Sequence, residues 1–87
     1  MTNVSFDDFY RLLSEWKEIV KLANPNLSIQ RNTNSKIDKI IAELEKSKID
    51  RDCNEVHDLL NSLKEIKGIE KYVGESLTTI MAVCYNK

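Results

Sequence analysis

Residues 35–48 read SKIDKIIAELEKSK, and the spacing of their apolar positions decides the fold class. Ile37, Ile40, Ile41 and Leu44 recur at i, i+3, i+4 and i+7, which lines up one face of an α-helix. Isoleucine is at home in strands, but a half-buried strand alternates with period two, and this stretch does not. Ser35 suits a helix N-cap, with Asp38 three residues on to complete a capping box. The spacing predicts a helix over 35–48.

Toward the N-terminus lies NPNLSIQRNTNS, residues 24–35, rich in asparagine and serine. It reads as a loop over 24–34, with Leu27 and Ile29 expected to fold back over the end of the domain. Before it, Phe6, Phe9, Tyr10, Leu13, Trp16, Val20 and Ala23 recur at threes and fours and predict a helix over 6–23. Ser5 is its expected N-cap with Asp8 in capping-box position, Asp7 reaches Arg11 at i,i+4, and Pro25 ends it.

Toward the C-terminus, the short turn KIDRD leads to a helix over 52–67. Asp52 is its N-cap with Glu55 at N3, and Cys53, Val56, Leu59, Leu60, Leu63 and Ile66 form its apolar face. Gly68 follows, where a left-handed residue is commonly needed. Ile69, Tyr72, Val73, Leu77, Ile80, Met81 and Cys84 predict a last helix over 69–85. Gly74 costs that helix about 1 kcal/mol and is expected either to be tolerated or to break it, with Ser76 restarting the helix. Residues 1–87 thus form a single all-α domain, an antiparallel four-helix bundle.

Composition agrees. The 87 residues are 41% hydrophobic and 31% charged, which is globular and not disordered composition. Two glycines and one proline leave little material for turns. A net charge of −1 gives no basic surface for nucleic acid. No apolar run approaches the roughly 18 residues of a membrane span, and the acidic N-terminal stretch MTNVSFDDFY resembles neither a signal nor a transit peptide. A cytoplasmic location without membrane insertion is expected.

The chemistry-bearing residues crowd into 51–84, and each has a bland alternative. Cys53 and Cys84 fall on apolar stripes and read as reduced thiols in a cytosolic core, in preference to a disulfide between them. One histidine and two distant cysteines do not have zinc-ligand spacing. Cys53 and His57 could touch at i,i+4, but neither an orienting group nor an oxyanion donor accompanies them. Arg51-Asp52-x4-His57 resembles the Arg…His signature of helical nuclease-like domains in toxin systems, where the pair works on RNA phosphate. There the motif sits late in the fold, whereas this chain runs on well past His57. The aromatic residues follow the core stripes, with Tyr10, Tyr72 and Tyr85 showing a polar edge, and form no base-stacking platform. Lys36, Lys39, Glu43, Glu45, Lys46 and Lys48 read as a mixed-sign solvated face. The expectation is a protein-binding domain that is not an enzyme and holds no cofactor or metal.

The strings FYRLLSEWKEIVKLANPNLS, KIDKIIAELEKSKID and VHDLLNSLKEIKGIEKYVGESLTTI, in that order, resemble the immunity proteins of pediocin- and enterocin A-type bacteriocins. Those are small cytosolic four-helix bundles with a Leu-rich first helix, a Pro-containing loop and a Leu-Glu-Lys near the second helix; this chain lacks their basic excess and their tail. The resemblance implies protection of a producer cell by engaging a complex of toxin and sugar-transporter receptor at the inner membrane face. LLNSLKEIKGIEKYVGESLTTI also resembles the helical peptide-binding N-terminal domain of transcription elongation factors, without that domain's basic, tryptophan-bearing last helix. The first helix resembles that of colicin-nuclease immunity proteins, without their acidity and tyrosine-rich motif. A phage-encoded inhibitor of a host enzyme fits the same physics. Recognition is expected around Gly68 and on the last helix, through Glu70, Lys71, Tyr72, Glu75, Thr78, Thr79, Met81 and Tyr85, because that segment joins adaptable Met and Tyr side chains to a sparsely charged face.

Overall fold

The computed structural model describes residues 6–86, and at Phe6 the backbone alone. The Ser5 cap and the Phe6 core position therefore lie outside the described residues. Four helices follow one another: α1 (Phe6–Ala23), α2 (Leu27–Glu45), α3 (Cys53–Leu63) and α4 (Glu70–Asn86). Among the described residues there is no strand, and no helix is long and apolar enough to cross a membrane.

α1 has the predicted bounds. Phe9, Leu13, Trp16 and Val20 are buried along one stripe, and Asn24 N–H closes the last turn on the Val20 carbonyl at 2.8 Å. The next residue, Pro25, has no N–H with which to continue.

α2 departs from expectation. It begins at Leu27, eight residues before Ser35, and ends at Glu45; the predicted loop over 24–34 shrinks to residues 24–26. Asn26, not Ser35, is the N-cap, its side chain accepting from the N–H groups of Ser28 at 2.8 Å and Ile29 at 3.4 Å. Asparagine and serine lose only a few tenths of a kcal/mol inside a helix, and one good cap with a following apolar stripe outweighs that. The stripe itself is longer than it looks, because its N-terminal member is polar: Thr33 is fully buried in line with Ile37, Ile40 and Leu44. Leu27 and Ile29 do not cover the domain end; they stand exposed on the first turn of α2.

α3 opens on Asp52, whose side chain accepts from Glu55 N–H at 3.0 Å as the N-cap pattern predicts. It ends at Leu63, four residues before the expected end, and residues 64–69 pass through turns closed by Glu65 N–H to Ser62 O and Ile69 N–H to Ile66 O. Gly68 takes a φ of +102°, and a Cβ there would lie 2.8 Å from that of Ala23. Both the left-handed backbone and the close approach to α1 require glycine. α4 runs unbroken through Gly74, so Ser76 restarts nothing.

Sequential neighbours pack: α1 on α2, α2 on α3, α3 on α4. The result is the all-α four-helix bundle. Its core joins Leu13, Trp16, Ile37, Ile40, Leu60, Leu63, Ile69 and Ile80, all at or near zero exposure, each burial worth about 1.5–3 kcal/mol for side chains of this size. At one end of the bundle Asn24 ties the two hairpins together. Its Nδ2 donates to the Lys67 carbonyl at 2.9 Å, and its own carbonyl accepts from Gln30 Nε2 at 2.8 Å.

Candidate functional site

At the opposite end of the bundle, the segment between α2 and α3 meets the end of α4, and most of the chain's distinctive residues gather there. Arg51 is buried. Its Nε donates to the Glu43 carbonyl at 3.2 Å, Nη2 to those of Leu44 at 3.1 Å and Lys46 at 2.9 Å, and Nη1 to those of Cys84 at 2.9 Å and Val83 at 3.4 Å. The last carbonyls of a helix have no intrahelical partner and carry the negative end of its dipole. One planar fork of donors satisfies both α2 and α4 in this way, a task for which an ammonium group has the wrong shape.

Glu43 belongs to the same cluster. Expected on a solvated face, it is buried, its carboxylate accepting from Lys46 Nζ at 2.6 Å and from Asp52 N–H at 2.8 Å. These bonds, that of Lys46 foremost, hold the Glu43 carboxyl below its ordinary range, and the same bond raises the Lys46 ammonium. At the edge of the cluster burial raises the Tyr10 phenol, with the charges of Glu45 and Asp7 adding to the effect.

Cys53 and Cys84 are not reduced thiols in this structure. They form a disulfide, with a Cα–Cα separation of 6.0 Å. The distance between them in sequence argued for independence, yet α3 and α4 form a hairpin, and its first and last turns meet at one end of the bundle. That geometry was readable from the predicted helices. Cys53 and Cys84 line a depression of about 430 Å³ together with Lys48, Asp52, Asn54 and Tyr85.

The arginine–histidine pair is not assembled as a catalytic couple. Arg51 points inward to helix carbonyls, while His57 is exposed on α3, its ring 3.1 Å from Asn61 Nδ2 and 3.9 Å from Asp58. The Cys53 sulfur is bonded to Cys84 and offers His57 no thiol. Among the described residues no three His, Cys, Asp or Glu side chains gather as a metal site would need.

On α4, Lys71, Gly74, Glu75, Thr78, Ala82 and Tyr85 form one exposed stripe, flanked by Glu70, Tyr72 and Thr79. Tyr72 and Tyr85 are about half exposed, at 48% and 53%. The Glu70 carboxylate is engaged locally, accepting from Gly68 N–H at 2.7 Å. Met81 is a correction to the expected surface: it sits in the core at 9% exposure with Ile80 and Cys84, because its position follows the buried stripe of the helix and not the solvent one. Gly74 needs neither a left-handed backbone nor a close approach, since a Cβ there would meet nothing within 4 Å among the described residues.

Comparison with protein-family models, with curated proteins and with solved structures returned no significant match.

Proposed function

We propose that the chain is a non-catalytic protein-binding domain and, in its finer form, a bacteriocin immunity protein that acts in the cytoplasm on a complex of toxin and membrane receptor. The contact surface in this reading is the exposed stripe of α4 from Glu70 to Tyr85. Gly74 carries the argument. A glycine in the middle of an exposed helix weakens it by about 1 kcal/mol relative to alanine, and here no contact among the described residues asks for it. A partner's backbone approaching α4 closely would. The flanking Tyr72 and Tyr85 supply rigid amphipathic contact area of the type enriched in interfaces. The distinctive charged residues near the other candidate site, Arg51 and Glu43, are engaged with backbone groups of the fold, which favours binding over catalysis.

The test is survival. Cells sensitive to pediocin-type bacteriocins, expressing the chain, should withstand at least one toxin of a panel. Lys71→Glu combined with Thr78→Glu should abolish that protection while leaving the helical circular dichroism unchanged. Sensitivity to every toxin of the panel defeats the immunity reading. Protection that survives the double substitution removes the α4 stripe as its surface.

A further inference from the structure

We propose that the Cys53–Cys84 disulfide is a reversible redox latch on the last turn of α4, opened by a dithiol that enters through the depression over Cys53. The bond joins the first residue of α3 to the last turn of α4. Both residues line the depression, but they are unequally exposed: Cys53 is half-buried and Cys84 fully buried. An incoming thiolate therefore meets the Cys53 sulfur.

The exchange balances with a dithiol as the only co-reactant. Its thiolate attacks Cys53 Sγ, a mixed disulfide forms, and the bonding pair of the Cys53–Cys84 bond passes to Cys84 Sγ, which takes up a proton. The second thiolate of the dithiol then attacks its own sulfur in the mixed disulfide and closes a ring. Cys53 leaves as a thiolate, in the place where the positive end of the α3 dipole favours one. The dithiol is oxidised by two electrons and the protein reduced by two.

Opening the latch leaves the bundle assembled, because α4 is held twice over without it. Val73, Ile80, Met81 and Val83 are in the core, and Arg51 grips the carbonyls of Val83 and Cys84 from the segment between α2 and α3. A disulfide whose removal would collapse a small domain is a staple. One that duplicates an existing clamp governs local opening instead. The segment governed is the end of α4, with Tyr85 on the rim of the depression beside the bond.

The experiment compares the oxidised full chain, the chain reduced with dithiothreitol and Cys53→Ser, by maleimide labelling, circular dichroism and amide hydrogen exchange. Dithiothreitol should expose both thiols to labelling without denaturant and leave the helical signal intact. It should speed exchange over residues 82–86 by about tenfold or more, and oxidised glutathione should reverse this. Cys53→Ser should exchange as the reduced chain does. Any one of four results overturns the latch: thiols released only after unfolding, helical signal lost on reduction, exchange unaltered by reduction, or Cys53→Ser exchanging like the oxidised chain.

Discussion

Arg51 Nη1 lies 2.9 Å from the carbonyl oxygen of Cys84, across 33 positions of sequence. The same guanidinium reaches the Lys46 carbonyl at 2.9 Å, so one side chain caps the helix that precedes it and the helix that closes the bundle. Arg51→Met keeps much of the volume and removes every donor. It leaves several buried carbonyls unpaired, at about 1–3 kcal/mol each, and should lower unfolding free energy by about 3 kcal/mol or more in urea titration. His57→Gln, at an exposed position, should change it by less than about 0.5 kcal/mol.

Acid should loosen the same end of the molecule. The Glu43 carboxyl is held below its ordinary value by Lys46 and the Asp52 amide. Its contribution to stability is complete above the unfolded carboxylate range and is lost as pH falls through the lowered folded value. The raised Lys46 ammonium works in the other direction, its share present below the ordinary lysine value and lost as pH rises through the folded one. Urea midpoints of wild type and Glu43→Gln should differ at neutral pH and converge as the solution is acidified. A constant gap across the acid range would contradict the assignment.

The two glycines should respond oppositely to alanine. Gly68→Ala forces a left-handed backbone on a side chain that meets Ala23 at 2.8 Å, and should destabilise by about 2 kcal/mol, the backbone alone accounting for about 1–2. Gly74→Ala enters open space and should stabilise by about 1 kcal/mol. If α4 is the binding face, the same substitution should weaken protection while raising the melting temperature. Thermal unfolding and the survival assay together check both halves.

Thr33 offers a gain of another kind. Its hydroxyl is buried with no hydrogen-bond partner among the described residues, at the N-terminal end of the α2 stripe that continues through Ile37, Ile40 and Leu44. Thr33→Val keeps the shape and removes the unpaired group, and should stabilise by about 1 kcal/mol, measured as a shift in urea midpoint at unchanged slope.

Thr33 also marks what the sequence could and could not reveal. The stripes of α1, α3 and α4 were legible because their buried residues are apolar and regularly spaced, and with them the fold class. The first eight residues of α2 escape a periodicity argument because they place asparagine, serine and threonine on the helix, and such an argument passes over a buried threonine. Asn26 as a cap was visible in principle, standing directly after Pro25. On the candidate surface, Met81 followed from residue type where register along the helix would have put it inside. Arg51 was not legible at all. Its role depends on where α4 ends in space, and no local pattern announces a side chain that serves two distant helix termini.

The Arg51–Cys84 pairing sets a timetable for the chain as it is made. At roughly 5–20 residues per second, synthesis needs about 2–7 seconds to travel from Arg51 to Cys84. For that interval the guanidinium has the carbonyls of Glu43, Leu44 and Lys46 within reach but not those of α4, and the apolar stripes of α1 and α2 lack their α4 cover. Arrival of Val83 and Cys84 adds the α4 carbonyls to the arginine's acceptors and brings the second sulfur to the first. Closure of the bundle therefore waits for α4, and until that helix emerges the α2 terminus is only partly capped by the residue that will later join it to its distant partner.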